Sequence, residues 1–326
     1  MSEKSVSVII PNYNGKNLLE QNLPSVIEAL DNSGTDYEII VVDDHSRDDS
    51  VAFLKERYPS IRVVESETNE GFSVACNKGI HASVNDLILL LNTDIQLTPG
   101  YFDGMFKYFE APDTFGVMGQ IRGIKGEIQD VARLFTRRGT KIKANTFFYV
   151  DDSDFWTPTA YLSGANALID SRKLKDIGGF DEVFSPFYYE DFELGVRAWR
   201  LGWKCYYHHA NFCIHEHSAT TKNYRTRNWV KAIFFRNRFA VHGIHLSAFG
   251  RLFFYIQLTV SMLFLAVGFR FFFLKGFGMF LSKHGEIRRS RVRMKLLMER
   301  HGSSLTVPEV MKEFDNALAG QPINYL

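Results

Sequence analysis

The sequence predicts an α/β chain: a Rossmann-like, mostly parallel sheet followed by a helical, aromatic-rich extension at the C-terminus. Three observations carry this. Up to Asp94, short apolar runs alternate with helical periodicities, in the order βαβαβαβ. That order implies parallel strands joined by right-handed crossovers. Three of the four strands stop at residues suited to ligand contact: Pro11-Asn12-Tyr13, Asp43-Asp44 and Asn92-Thr93-Asp94. Beyond about residue 220 the chain turns aromatic, and 13 of its 29 Phe lie between Phe234 and Phe280.

The elements follow in order. Residues 5–10 (SVSVII) are rich in β-branched side chains, and Pro11 is expected to end the ladder. Asn14-Gly15 makes a turn, and residues 17–30 carry Leu18, Leu19, Leu23, Val26, Ile27 and Leu30 at helical spacing. A buried strand at 38–42 (EIIVV), a helix over 48–57 and a short strand at 61–64 come next. A turn at Asn69-Glu70-Gly71 leads into a helix over 73–82. The unbroken run Leu87 to Leu91 reads as a buried parallel strand that delivers Asn92-Thr93-Asp94 to its carboxyl end, where open α/β sheets bind ligands. Further on, a helix is expected over 99–109 and a strand over 116–121, while 123–154 read as loops and short strands. Residues 160–169 resume strand character. Short helices over 171–177 and 191–201 precede strands at 203–207 and 212–214, and a polar helix over 308–318 closes the chain.

The chain has 326 residues, 45% of them hydrophobic, enough for a large α/β domain with an appendage. A formal net charge of +1 gives no reason to expect a nucleic-acid partner. Three cysteines without a CxxC spacing support neither a zinc ribbon nor a disulfide framework. The opening MSEKSVSVIIPNYN has too short an apolar run for a signal peptide, so a catalytic domain is expected to stay in the cytoplasm.

The first strand is followed by PNYNGKN, which has neither the glycines of a dinucleotide turn nor those of a P-loop. A phosphate ligand would then be met by a hard cation, Mg²⁺ or Mn²⁺, held by one or two carboxylates. Asp94 is the candidate ligand, with Asn92 beside it. In FSPFYYEDFEL (184–194), Glu190 and Asp191 open a helix whose dipole favours an ionised carboxylate, and aromatics before them wall off water. A carboxylate there can serve as a general base. In His215-Glu216-His217, one imidazole could complete a metal site with Asp94. Taken singly, Asp94 reads more readily as a turn or cap residue and His215-Glu216-His217 as a surface HxH, while Asp191 reads equally well as a helix cap.

Eight stretches in order resemble the family 2-type glycosyltransferases of the GT-A fold, of the rhamnosyltransferase-like kind. They are VSVIIPNYN (6–14), VVDDHSRDDS (41–50), NEGFSVACNKGI (69–80), LLLNTD (89–94), LSGANALI (162–169), IGGFDEVF (177–184), YYEDFELGVRAWRLGW (188–203) and IHEHSAT (214–220). The likeness runs from about Ser5 to Asn237. It implies inverting transfer of a sugar from a UDP-, dTDP- or GDP-linked donor to a glycan or lipid-linked acceptor in polysaccharide or cell-wall assembly. By position, it implies that Pro11 and Tyr13 border the nucleobase and that Asp43 or Asp44 holds the base or ribose. Asn69, Gly71 and Asn77 would shape the donor pocket, and Gly164-Ala165 would lie beside the sugar. Asp94 would hold the metal, with His215 as a further ligand and His217 in reserve. Asp191 would be the base. The family's acidic triplet usually opens with Asp, where this chain has Asn92.

This divides the chain into a GT-A domain at 1–220, with a nucleotide-binding half at about 1–97 and an acceptor half at about 98–220, and a helical extension at 221–326. Residues 252–269 form an 18-residue run without charge, and residues 283–300 hold seven Lys/Arg against two Glu. With basic flanks on both sides, that suits a helix lying in an anionic membrane interface rather than a span. The expectation is peripheral attachment at the inner face of the plasma membrane; helices packed on the catalytic domain or in a homo-oligomer contact are the other reading. A nucleotidyltransferase would want a Gly/Arg/Lys-rich phosphate loop after the first strand, which PNYNGKN is not. A non-catalytic sugar- or partner-binding relative would have no use for Asp94, Asp191 and His215 together.

Overall fold

The computed structural model describes residues 4–152, 154–215, 226–267 and 271–326, with residues 263–267 described by backbone alone. The first half alternates as expected: β1 (Val6–Asn12), α1 (Lys16–Ser33), β2 (Tyr37–Asp43), α2 (Ser50–Arg57), β3 (Arg62–Glu65), α3 (Phe72–Ala82), β4 (Leu87–Leu91). Then come β5 (Ile95–Leu97), β6 (Thr114–Gly123), β7 (Ile128–Asp130), β8 (Arg133–Arg138), β9 (Lys141–Val150), β10 (Thr157–Pro158) and β11 (Asn166–Asp170). They are followed by α4 (Ser171–Asp176), α5 (Glu190–Arg200), β12 (Lys204–His215), α6 (Arg227–His245), α7 (Ala248–Val267), α8 (Phe271–Ser282), α9 (His284–Arg300), α10 (Val307–Ala317) and β13 (Ile323–Tyr325).

The main sheet runs β10-β12-β6-β11-β4-β1-β2-β3. Strands β4, β1, β2 and β3 are mutually parallel, and β11 enters antiparallel between β4 and β6. A smaller sheet, β13-β9-β8, lies apart. Strand alternation explains the two cores. Val6, Val8 and Ile10 of β1 meet Leu19, Leu23, Val26 and Leu30 of α1, whereas Ile9 faces Ala75, Cys76 and Ile80 of α3.

Several expectations are corrected. Pro11 does not end β1; the strand continues to Asn12, paired with Asp43. The pairing of β1 with β4 stops at Ile9, so the missing Pro N–H breaks no bond on that side. The helix expected over 99–109 is a series of turns closed by a 3-10 turn, Phe106–Glu110. Residues 133–150 form a long hairpin whose buried alternation, Ile142, Ala144, Phe148 and Val150, is interrupted by lysines in sequence. The strands expected at 203–207 and 212–214 are one strand, β12, with an irregularity between Tyr207 and Phe212. Trp199 is a core residue, as its helical position suggests.

The C-terminal helices pack on the sheet domain. Gly276 of α8 lies so close to α6 that an added Cβ would sit 2.7 Å from the Ala232 carbonyl oxygen. Buried Glu193 of α5 binds Arg197 at 2.7 Å and His245 of α6 at 3.1 Å. Among the described residues no helix is long and apolar enough to cross a membrane.

Candidate active site

A cleft of about 320 Å³ opens at the carboxyl ends of β1, β2 and β4. Pro11, Tyr13, Asp44, Gly71, Asn92, Asp94, Gly164, Ala165, Glu190 and Asp191 all line it. The short turn between β4 and β5, Asn92-Thr93-Asp94, sets Asp94 in the cleft. The Asn92 N–H donates to the Ala165 carbonyl at 3.2 Å, and the Asn22 amide donates to the Thr93 carbonyl at 2.8 Å. Asp94 is thereby buried, and among the described residues its Oδ1 has no hydrogen-bond partner. An orphaned buried carboxylate oxygen is costly unless a cation or donor completes it.

His215, at the end of β12, supplies a second donor. Its Nε2 lies 3.3 Å from Asp94 Oδ2. The other ring nitrogen, Nδ1, lies 2.6 Å from Gln129 Oε1. A carbonyl oxygen only accepts, so Nδ1 carries a proton, and in the neutral ring that leaves the Nε2 lone pair toward Asp94. Two donors at this separation can share one octahedral ion, whose adjacent ligands sit about 3 Å apart at bond lengths near 2.1 Å. The residues present therefore fit a hard divalent cation completed by substrate oxygens. Gln129 has no signal in the sequence; it lies on β7, and only the sheet's folding brings it to His215.

Glu190 and Asp191, at the start of α5, line the same cleft. Asp191 Oδ1 accepts the Phe192 N–H at 2.7 Å. Buried Glu190 has an Oε2 with no hydrogen-bond partner among the described residues. Burial raises the proton affinity of both, and that of Glu190 is raised further by the neighbouring Asp191 charge. Asp191 also feels the Arg133 guanidinium, which lowers its pKa again. Asp191 is thus the member of the pair that ionises first.

The loop before α5 is held in an unusual shape. Tyr188 and Tyr189 both have positive φ, 74° and 73°. That region is sparsely populated by bulky residues, so outside contacts must enforce it. Asn237 of α6 donates its side-chain amide to the carbonyls of Phe184, Phe187 and Tyr188 at 2.7, 2.9 and 2.8 Å. Arg236 donates to Phe184 and Ser185 carbonyls at 3.1 and 2.5 Å. Gly71, at φ 93°, faces the same loop; a Cβ there would lie 2.8 Å from Pro186 Cα.

The structure does not bring every expected residue to the cleft. Asp43 accepts from the Asn12 amide and the Ser46 N–H at 2.8 and 2.9 Å, which commits its carboxylate to the fold. Asn77 is a buried clasp, bonded to the Phe180 N–H and carbonyl and to Glu182. Asn69 donates to the Asp44 carbonyl at 3.2 Å, behind the cleft lining. Asp44 lines the cleft, but its two oxygens accept the Glu70 and Gly71 N–H groups at 2.9 and 2.8 Å. Asp43, Asn69 and Asn77 thus lie outside the cleft lining, and Asp44 stands in it with its oxygens already bonded. His217 and the stretch IHEHSAT beyond His215 lie outside the described residues.

A sheet with polar residues gathered at the carboxyl ends of β1, β2 and β4, faced by an acid pair on a later helix, is the architecture of a GT-A glycosyltransferase. The chain belongs to glycosyl transferase family 2, whose model matches residues 7–178. It is 27% identical over 175 residues to a poly(ribitol-phosphate) beta-N-acetylglucosaminyltransferase, TarP, of Staphylococcus aureus, covering 53% of this chain and 52% of that one. It is 25% identical over 211 residues to an N-acetylglucosaminyl-diphospho-decaprenol L-rhamnosyltransferase of Mycobacterium tuberculosis, covering 56% and 67%. The chain thus spans about half the length of the first of these relatives. In fold it is similar to GalNAc-T7, solved with UDP, GalNAc and Mn²⁺, with a TM-score of 0.65 and 15% identity, covering 98% of this chain and 58% of that one. It is also similar to the mannosyltransferase PcManGT of Pyrobaculum calidifontis, solved with GDP-Man and Mn²⁺, with a TM-score of 0.52 and 14% identity, covering 97% and 80%.

Proposed function

We propose that this protein is an inverting glycosyltransferase that moves a sugar from a nucleotide-diphosphate donor to a hydroxyl of a glycan or lipid-linked acceptor. The observation that carries the reading is that one cleft is lined by both Asp94, whose Oδ2 lies 3.3 Å from His215 Nε2, and Asp191. A divalent ion held by Asp94 and His215, once bound, would neutralise the departing diphosphate. Pro11 and Tyr13 border the base, and the Gly164-Ala165 backbone lets the sugar approach closely. Asp191 takes the proton of the attacking hydroxyl on the face opposite the leaving group. Of the Glu190–Asp191 pair, Asp191 is the one that ionises first, because burial and the Asp191 charge both raise the proton affinity of Glu190. A single displacement needs no enzyme nucleophile, and inversion follows. Relatives named as sugar transferases, and fold neighbours solved with UDP or GDP-Man, support the donor class.

We place the enzyme at a membrane surface facing the cytoplasm, with residues 1–220 as the catalytic domain and the later helices as its appendage. Titration with UDP-, dTDP- and GDP-sugars, with and without Mn²⁺, tests the reading. Metal-dependent binding of at least one is expected, and none would refute it. Asp191→Asn should bind donor as the parent does and lose transfer by at least about 10²-fold. Undiminished turnover in that variant would remove Asp191 from the role of base.

A further inference from the structure

Behind Asp191 a second hollow of about 350 Å³ joins the donor cleft, sharing Tyr188, Glu190 and Asp191 as a common wall. It is where an accepting hydroxyl would reach the base. Its far side is cationic: Arg133, Lys143 and Arg238 all line it. Arg133 is already committed to Asp130, with two parallel hydrogen bonds at 2.9 and 2.8 Å. Lys143 and Arg238 differ. Among the described residues neither has a carboxylate within salt-bridge distance, although both are half-buried. Arg138 and Lys141 stand close by, and the Lys141 ammonium is destabilised first by burial and then by Arg238, Lys143 and Arg138. Like charges gathered in a part-buried hollow, with no carboxylate paired to Lys143 or Arg238 among the described residues, cost free energy that a bound anion would recover. Tyr161, Tyr189 and Phe234 complete the lining and give an apolar flank.

We propose, resting on the glycosyl-transfer reading, that the acceptor is anionic. A phosphate or phosphodiester beside its accepting hydroxyl sits between Lys143 and Arg238. Arg238 offers a fork of donors and Lys143 a point charge, the pairing that grips phosphate oxygens. The Glu190–Asp191 wall repels the anion and so turns the hydroxyl end, rather than the phosphate end, toward the base.

The test uses the full chain with Mn²⁺ and a saturating nucleoside diphosphate, so that the donor site is filled. Phenyl phosphate is then titrated by calorimetry against benzyl alcohol. Phenyl phosphate should bind with a strong salt dependence, and benzyl alcohol should not. Lys143→Gln and Arg238→Gln should each weaken phenyl phosphate at least tenfold at unchanged nucleotide affinity, with Arg238→Lys retaining part of it. No phosphate binding, or equal binding in the variants, overturns the proposal. Transfer assays separate the sources of the phosphate: a sugar 1-phosphate, a short-chain prenyl-diphosphate sugar and a polyol-phosphate oligomer are compared with the neutral sugar. Preference for any anionic acceptor supports the proposal, and equal use of the neutral sugar overturns it. Failure of the glycosyl-transfer reading shows separately, as no binding of any nucleotide sugar by the parent protein.

Discussion

At the scale of single residues, the proposed chemistry rests on groups whose polar atoms are not used up by the fold. Among the described residues Asp94 Oδ1 and Glu190 Oε2 are buried without hydrogen-bond partners, whereas both oxygens of Asp43 are occupied. That contrast separates residues available for chemistry from residues with the same look in sequence. Gln129 follows from the same logic. By accepting from His215 Nδ1 at 2.6 Å it fixes which ring nitrogen faces Asp94. Replacing such an outer partner typically lowers metal affinity about 10–100-fold. Gln129→Leu should therefore raise the Mn²⁺ concentration needed for half-maximal donor binding by that range, with metal-free nucleotide affinity unchanged. Titration of donor against Mn²⁺ checks it, and an unaltered metal requirement would argue against His215 as a ligand. The acid pair sets a pH dependence. Burial raises the Asp191 pKa, and a base works only when ionised, so activity is full above that pKa and is lost as pH falls through it. The acidic limb of kcat/KM should thus lie above the ordinary carboxylate range of about 4. A limb at pH 4 or below would mean that a solvent-exposed carboxylate controls the rate.

At the scale of elements, the acid pair depends on a helix from the other end of the chain. The left-handed pair Tyr188-Tyr189 turns the loop into α5, and the Asn237 amide on α6 holds three of its carbonyls. Asn237→Ala leaves those acceptors without their donor, at a cost of about 1–3 kcal/mol. Since the strained loop carries Glu190 and Asp191, kcat should fall more than the melting temperature explains, while donor KM changes little. Kinetics at a temperature where the variant is fully folded would check this, and a loss that tracks only the folded fraction would reduce Asn237 to a stabilising contact. The Rossmann-like half was legible because every strand is an apolar run with a helix at the right spacing behind it. The hairpin 133–150 was not, because Lys141 and Lys143 alternate with its buried Ile142 and Ala144 and mask the period. The cleft was legible at Asp94 and Asp191, which end or open elements. It was hidden at Gln129, Arg236 and Asn237, whose roles exist only through contacts across more than forty positions of chain.

At the scale of the whole molecule, the helical extension presents two different faces. On α7, Phe254 and Leu258 are buried against the protein, while Phe249, Leu252, Phe253, Ile256 and Val260 are exposed, the first by 71% and the rest by about half. These five recur at i, i+3, i+4, i+7 and i+11, one stripe of a helix. A continuous apolar stripe left outside a folded chain calls for a cover. Basic residues near it, Arg251 and the Lys/Arg-rich α9, suit an anionic lipid interface, into which such a stripe would sink by its side chains alone. Each side chain so transferred contributes on the order of 1.5–3 kcal/mol. The parent protein should therefore co-sediment with vesicles containing phosphatidylglycerol, and less so as salt rises. Phe249→Asp combined with Phe253→Asp should weaken that binding by at least about tenfold. Because both side chains already meet solvent, the melting temperature without vesicles should stay within a degree or two of the parent's, the small change expected of surface substitutions. If the variant binds vesicles as the parent does, the stripe has another cover. A parallel loss of self-association in analytical ultracentrifugation would identify that cover as a second copy of the chain.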